Sequence, residues 1–104
     1  MERVYVWKED SNVNYIKVGF KDDEVYVVNI VRFINGNEVQ NKFRIFDRKI
    51  QINDNEPIRI NAKTYNKVMK AFKEKIENIT NADEIKKVAE EIIEFVSTYS
   101  EAET

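Results

Sequence analysis

"PIRINAKTYNKVMKAF", residues 57–72, is the stretch in which the hydrophobic period of the chain changes. The β-branched run Ile58–Arg59–Ile60 stops at Asn61. From there Tyr65, Val68, Met69, Phe72, Ile76 and Ile79 recur at helical spacing, with Lys and Glu on the opposite side. Asn61 stands where its side-chain oxygen can cap the new helix. Upstream of the joint, apolar residues alternate at every second position, the period of a strand. The joint therefore divides a sheet half from a helical half.

Working outward, residues 3–8, 13–20, 24–34 and 40–49 read as four strands, and 50–52 and 58–60 as shorter extended pieces. The turns between them, "EDSN", "KDD" and "NGN", are too short for crossovers, so the strands form an antiparallel meander. Asn35–Gly36 is the strongest hairpin signal, because both residues accept positive φ. Past the first helix, "NITNAD" (78–83) breaks the pattern and Asp83 is a cap for a second helix. Its stripe is Ile85, Val88, Ala89, Ile92, Val96 and Tyr99, widened by Ile93 and Phe95. The tail "SEAET" (100–104) is expected to fray. The predicted fold is one α+β domain over 1–104: a four- to five-stranded antiparallel sheet (1–60), then helices over 61–80 and 83–99 packed on one face.

Composition narrows the chemistry. A chain of 104 residues that is 42% hydrophobic and 35% charged reads as soluble and globular. There is no cysteine, which excludes disulfides and thiolate metal sites, and no histidine, which removes the usual neutral-pH base. Asp22–Asp23 and Glu90–Glu91 read as solvated surface, and Asp54–Asn55–Glu56 as a turn before Pro57 rather than a calcium loop. No catalytic, metal or cofactor site is expected, and the chain reads as a non-enzyme. "MERVYVWKED" lacks the apolar core of a signal peptide, and no apolar run reaches the ~20 residues of a membrane span. A cytoplasmic protein without a membrane partner is expected. Net charge is −2, so any nucleic-acid function must come from local charge placement.

Strand alternation sorts side chains onto two faces. An aliphatic set (Val4, Val6, Ile16, Val18, Phe20, Val25, Val27, Val31, Phe33, Phe43, Ile45) is predicted to lie under the first helix. The opposite set interleaves rings with bases: Tyr5, Trp7, Tyr15, Lys17, Tyr26, Arg32, Lys42, Arg44, Phe46 and Arg48, with Val28 and Ile30 among them. Rings stack on unpaired bases and cations pair with phosphates. The same residue types also describe a merely solvated face, or a face buried by the second helix or a partner subunit.

The order of elements, with "IRINAKTYNKVMKAF", "VNIVRFINGNEVQNKFRIFD" (28–47) and "GFKDDEVYVV" (19–28), resembles a known family. It is similar to the nucleic-acid-binding domain of the positive-cofactor-four (p15) transcriptional coactivators and of the related Whirly proteins, over about residues 13 to 79. The resemblance implies single-stranded DNA binding on a concave sheet surface, usually by a dimer. It implies Lys21, Arg32, Phe33, Lys42, Arg44 and Phe46 as contacts. The family often has a basic balance, and this chain is acidic.

The expected function is therefore single-stranded DNA or RNA binding of low sequence specificity by a homodimer. Trp7 is expected to report binding by fluorescence. The alternative is a viral or mobile-element protein-interaction module, a host-protein inhibitor or nucleic-acid mimic. Clustering of Arg32, Arg44 and Arg48 favours the first; burial of Tyr5, Trp7 and Phe46 under the second helix favours a structural role.

Overall fold

Asp10–Ser11, Asp22–Asp23, Asn35–Gly36 and Asp47–Arg48 all have positive φ, between 46° and 79°. Each pair is the whole loop of a hairpin, and positive φ at both positions matches the right-handed twist of the flanking strands. A computed structural model describes residues 1–102, with side chains through Thr98. Its strands are β1 (Glu2–Glu9), β2 (Asn12–Lys21), β3 (Glu24–Ile34), β4 (Asn37–Phe46), β5 (Lys49–Ile52) and β6 (Ile58–Arg59). They form one six-stranded antiparallel sheet in chain order.

Two helices follow, α1 (Ala62–Glu77) and α2 (Ala82–Ala102). The Thr64 N–H donates to Asn61 Oδ1 at 2.8 Å, the cap expected at the joint. The second cap is Asn81, not Asp83: its Oδ1 accepts from the Glu84 N–H at 3.0 Å, and Asp83 lies in the first turn. An amide one position before the helix reaches the free N–H groups; a carboxylate inside the first turn complements the dipole instead. The expected places of the Tyr99 side chain and of the frayed tail fall outside the described residues, although the helical backbone continues to Ala102.

Both helices cover the same face of the sheet, α1 over β3 and α2 over β1. Phe72 and Phe95 meet edge to face at 6.0 Å between ring centroids, and Lys75 pairs with Glu91 at 3.0 Å. Lys86 pairs with Glu9 at 3.0 Å and ties α2 to the end of β1. That partner holds the Glu9 carboxyl below its ordinary range and raises the Lys86 ammonium. The pair is fully exposed and contributes little.

The core contains Ile16, Val18, Val25, Phe43 and Ile45, as expected, with Phe20 packed against it. It also contains Trp7, Val28 and Ile30, which were assigned to the other face, with Tyr5 packed against it. Val4 and Val6 are instead 56% and 47% exposed. The physical reason is the turn. A two-residue turn sets odd-numbered residues opposite even ones, so Tyr5 faces Ile16 and Trp7 faces Asn14. Burial magnitudes agree. Truncating a core Trp costs about 3–5 kcal/mol, whereas burying a valine is worth roughly 1.5–3 kcal/mol. β1 gains more by burying its aromatic side.

Asn14 is the buried polar residue beside Trp7. Its Oδ1 accepts the Phe33 N–H at 2.7 Å, so the cost of burying the amide oxygen is offset. Ser11 is an exposed non-glycine residue in the left-handed region, at φ 70°. Replacing Ser11 with Gly is expected to stabilise the fold by about 0.5–1 kcal/mol, because the left-handed region carries no Cβ penalty for glycine. Urea denaturation of S11G checks this; an unchanged or lower midpoint overturns it.

Candidate nucleic-acid interface

Among the described residues, no helix covers the second face of the sheet. Its residues follow from the register. One row across the strands is Val4, Lys17, Asn29 and Lys42; the next is Glu2, Gly19, Val27, Arg44 and Gln51. On the other side of the lysine row lie Val6, Tyr15, Val31 and Gln40. Val31 is 0% exposed yet lies outside the core cluster. Phe33 stands opposite Glu38 and is partly exposed.

A bulge between β2 and β3 determines this face. Gly19 pairs with Val27 and Phe20 with Val25, which leaves Tyr26 as the extra residue. Below the bulge, Val25 is in the core; above it, Val28 and Ile30 are. The extra residue swings the Tyr26 ring across Gly19. A Cβ on Gly19 would lie 2.5 Å from Val27 Cγ1 and 3.0 Å from Tyr26 Cε1. Glycine is required at this position for space, not for φ.

The expected contact residues divide accordingly. Tyr15, Lys17, Tyr26, Phe33, Lys42, Arg44 and Phe46 belong to the uncovered face. Phe33 is a correction: simple alternation had placed it in the core, as it had Val27 and Val31. Without the bulge, that alternation holds. Tyr5, Trp7 and Arg32 are corrections in the other direction. Tyr5 and Trp7 pack in the core, and Trp7 is 5% exposed. Arg32 pairs across the strands with Val39 on the helix-covered face and donates from Nη2 to Asn41 Oδ1 at 3.2 Å. Its Nε is buried without a partner. Lys21 and Arg48 are exposed at the hairpin ends. Arg32, Arg44 and Arg48 therefore form no cluster. Phe46 remains partly exposed and is not buried under α2.

Toward the Asp22 and Asp47 turns lies a groove of about 760 Å³, lined by Lys42, Arg44, Tyr26 and Phe46 of the uncovered face and by Tyr65 and Met69 of α1, among others. Its charge changes along its length. Lys17, Lys42 and Arg44 stand on the sheet, whereas Asp22, Glu24 and Asp47 gather at the turns. Burial, and then the Glu24 and Asp47 charges, raise the Tyr65 phenol above its ordinary value, so it stays a neutral donor. Lys17 is paired with Glu2 at 3.0 Å. Among the described residues, neither Lys42 nor Arg44 has a carboxylate partner.

Comparison with protein-family models, curated proteins and solved structures finds no match to the chain. Among the described residues, no group of three or more acids, His or Cys is placed to hold a metal ion, and no helix is long and apolar enough to cross a membrane.

Residue-type reasoning missed Val4, Val6 and Val13 as exposed members of this face, and Asn29, whose Oδ1 is buried without a partner between the lysines. The signal for the valines was available: counting through a two-residue turn at Asp10–Ser11 places them beside Tyr15 and Lys17. Gly19→Ala is expected to destabilise the fold by about 1–3 kcal/mol, through overpacking against Val27 and the Tyr26 ring. A Gly19→Ala/Tyr26→Ala double variant relieves only the ring contact. Denaturant titrations of both give the comparison, and a neutral Gly19→Ala counts against the close approach.

Proposed function

We propose that the chain binds single-stranded nucleic acid, DNA in the first instance, on the uncovered sheet face. The observation that carries this reading is the side-chain set there: Tyr15, Tyr26, Phe33 and Phe46 interleaved with Lys42 and Arg44, two cations without a carboxylate partner among the described residues. Rings of this kind supply stacking worth roughly 1–3 kcal/mol per base. Phosphates pair with the cations on the sheet and avoid the acidic turn end. The resemblance to the positive-cofactor-four and Whirly domains points the same way and implies a dimeric state, while non-enzymatic action follows from a chain without histidine or cysteine, and a cytoplasmic location is part of the same reading. The expected contacts narrow to the residues of the uncovered face, with Lys21 at its margin; Tyr5, Trp7 and Arg32 leave the set.

A second reading, a protein-interaction module, is favoured by one feature. Val4, Val6 and Val13 expose an apolar strip on this face that no phosphate needs.

Titration of labelled oligonucleotides at several salt concentrations tests the proposal. Binding is expected at low salt and is expected to weaken steeply as salt rises. The Lys42→Gln/Arg44→Gln variant is expected to reduce the slope of log affinity against log salt by about 1.4, from two lost phosphate contacts at roughly 0.7 each. Tyr26→Ala is expected to weaken binding with the slope unchanged. Trp7 reports folding here, not binding, because it lies in the core. No binding at low salt overturns the nucleic-acid reading; a pull-down that retains protein but no nucleic acid supports the second.

A further inference from the structure

The two edges of the sheet are unlike. β6 is two residues long and follows Pro57, so it offers almost no ladder for pairing. β1 is eight residues long, and no proline or bulge interrupts it. Natural edges are usually blunted. This one carries charges toward its ends, but across Val4–Val6 no proline, bulge or charge facing the uncovered side interrupts it.

The direction of its free backbone groups can be read from its first pair. The Phe20 N–H donates to the Met1 carbonyl at 2.8 Å, and the Met1 ammonium donates to the Phe20 carbonyl at 3.2 Å. Such reciprocal pairs alternate along an antiparallel ladder. Arg3, Tyr5, Trp7 and Glu9 therefore direct their N–H and C=O groups toward β2. Glu2, Val4, Val6 and Lys8 direct theirs away from the sheet. These four residues also carry the side chains of the uncovered face.

We propose that β1 pairs with β1 of a second copy of this chain, about a two-fold axis normal to the sheet at Tyr5. Antiparallel pairing about such an axis keeps both uncovered faces on one side, so even residues must meet even residues. With Tyr5 at the axis, Glu2 meets Lys8 of the second copy and Val4 meets Val6, and each pairing occurs twice. The charges are complementary. Lys8 has no carboxylate partner among the described residues of its own chain, and the Glu2 side chain remains 59% exposed beside Lys17. Shifting the axis to Val6 sets Glu2 against Asp10 and Val4 against Lys8. Shifting it to Val4 leaves Lys8 without a partner. The Tyr5 register alone matches both charge pairs and both valine pairs. It also covers the exposed Val4 and Val6, joins the two sheets into one of twelve strands, and closes, because β6 offers no second site for growth.

This inference does not rest on nucleic-acid binding, and its test is run without nucleic acid. Sedimentation velocity over a range of protein concentrations is expected to show a monomer–dimer equilibrium. Val6→Pro removes an outward N–H and none that bonds to β2, so it is expected to give a folded monomer by circular dichroism. Lys8→Glu sets like charges opposite each other twice and is expected to weaken the dimer roughly tenfold. Glu2→Lys/Lys8→Glu swaps the charges and is expected to restore it. A wild-type chain that stays monomeric at every concentration overturns the proposal. So does a dimer that neither Val6→Pro nor Lys8→Glu weakens. A Lys8→Glu dimer that the second substitution does not rescue overturns the register.

Discussion

One extra residue, Tyr26 opposite Gly19, sets the side of the sheet on which everything beyond it falls. Before the bulge, even residues of β2 face odd residues of β3; after it, even faces even. That shift puts Val28 and Ile30 under the helices, and β4 follows through the Asn35–Gly36 turn, with Phe43 opposite Val28. Removal of the bulge brings Val27, Val31 and Phe33 inward. The fixed register then carries Lys42 and Arg44 into the core with them. Burying two unpaired cations costs far more than any local gain in packing. The bulge is therefore the device that keeps the basic residues of β4 in water while its aliphatic ones are buried.

The bulge also links the fold to the proposed site. Counted back from Val28, Tyr26 would lie on the helix side; the bulge instead leaves it on the uncovered face, where its ring crosses the space that Gly19 leaves empty. A ring laid over a strand glycine restores contacts that glycine cannot make for itself. It also adds an aromatic surface to the groove that Arg44 lines. The opposite end of the same face, at β1, is aliphatic, and its backbone is unpaired. The face thus has two characters: rings and cations over β3 and β4, and valines over β1. Nucleic-acid contact suits the first and a second copy of the chain suits the second, so the two proposals do not compete for surface.

Much of the architecture was legible from residue types and periods. The strand–cap–helix joint at Asn61, the meander order and the placement of both helices on one face all follow from local patterns. The site was legible only in part. Tyr15, Lys17, Lys42, Arg44 and Phe46 were placed together correctly because their strands keep simple alternation. Tyr5 and Trp7 were misplaced because aliphatic residues were taken as the core of β1, where turn length and the greater area of the aromatic rings decide otherwise. Arg32 was misplaced because it lies past the bulge, where alternation has already shifted.

The strands, the helices, their order and the residue types on each side of each strand rest on spacings of a few residues, so the chain's local pattern specifies them. Which side of β3 beyond the bulge faces the helices is settled by the fold. That choice depends on register, and register is a relation between strands: a single inserted residue reverses it without changing the composition or period of either strand. The same holds for the β1 edge. Its alternation is written in the chain, but that its outward backbone lies free, with valines and complementary charges on the same four residues, emerges only when β2 occupies one side and none of the described residues pairs with the other.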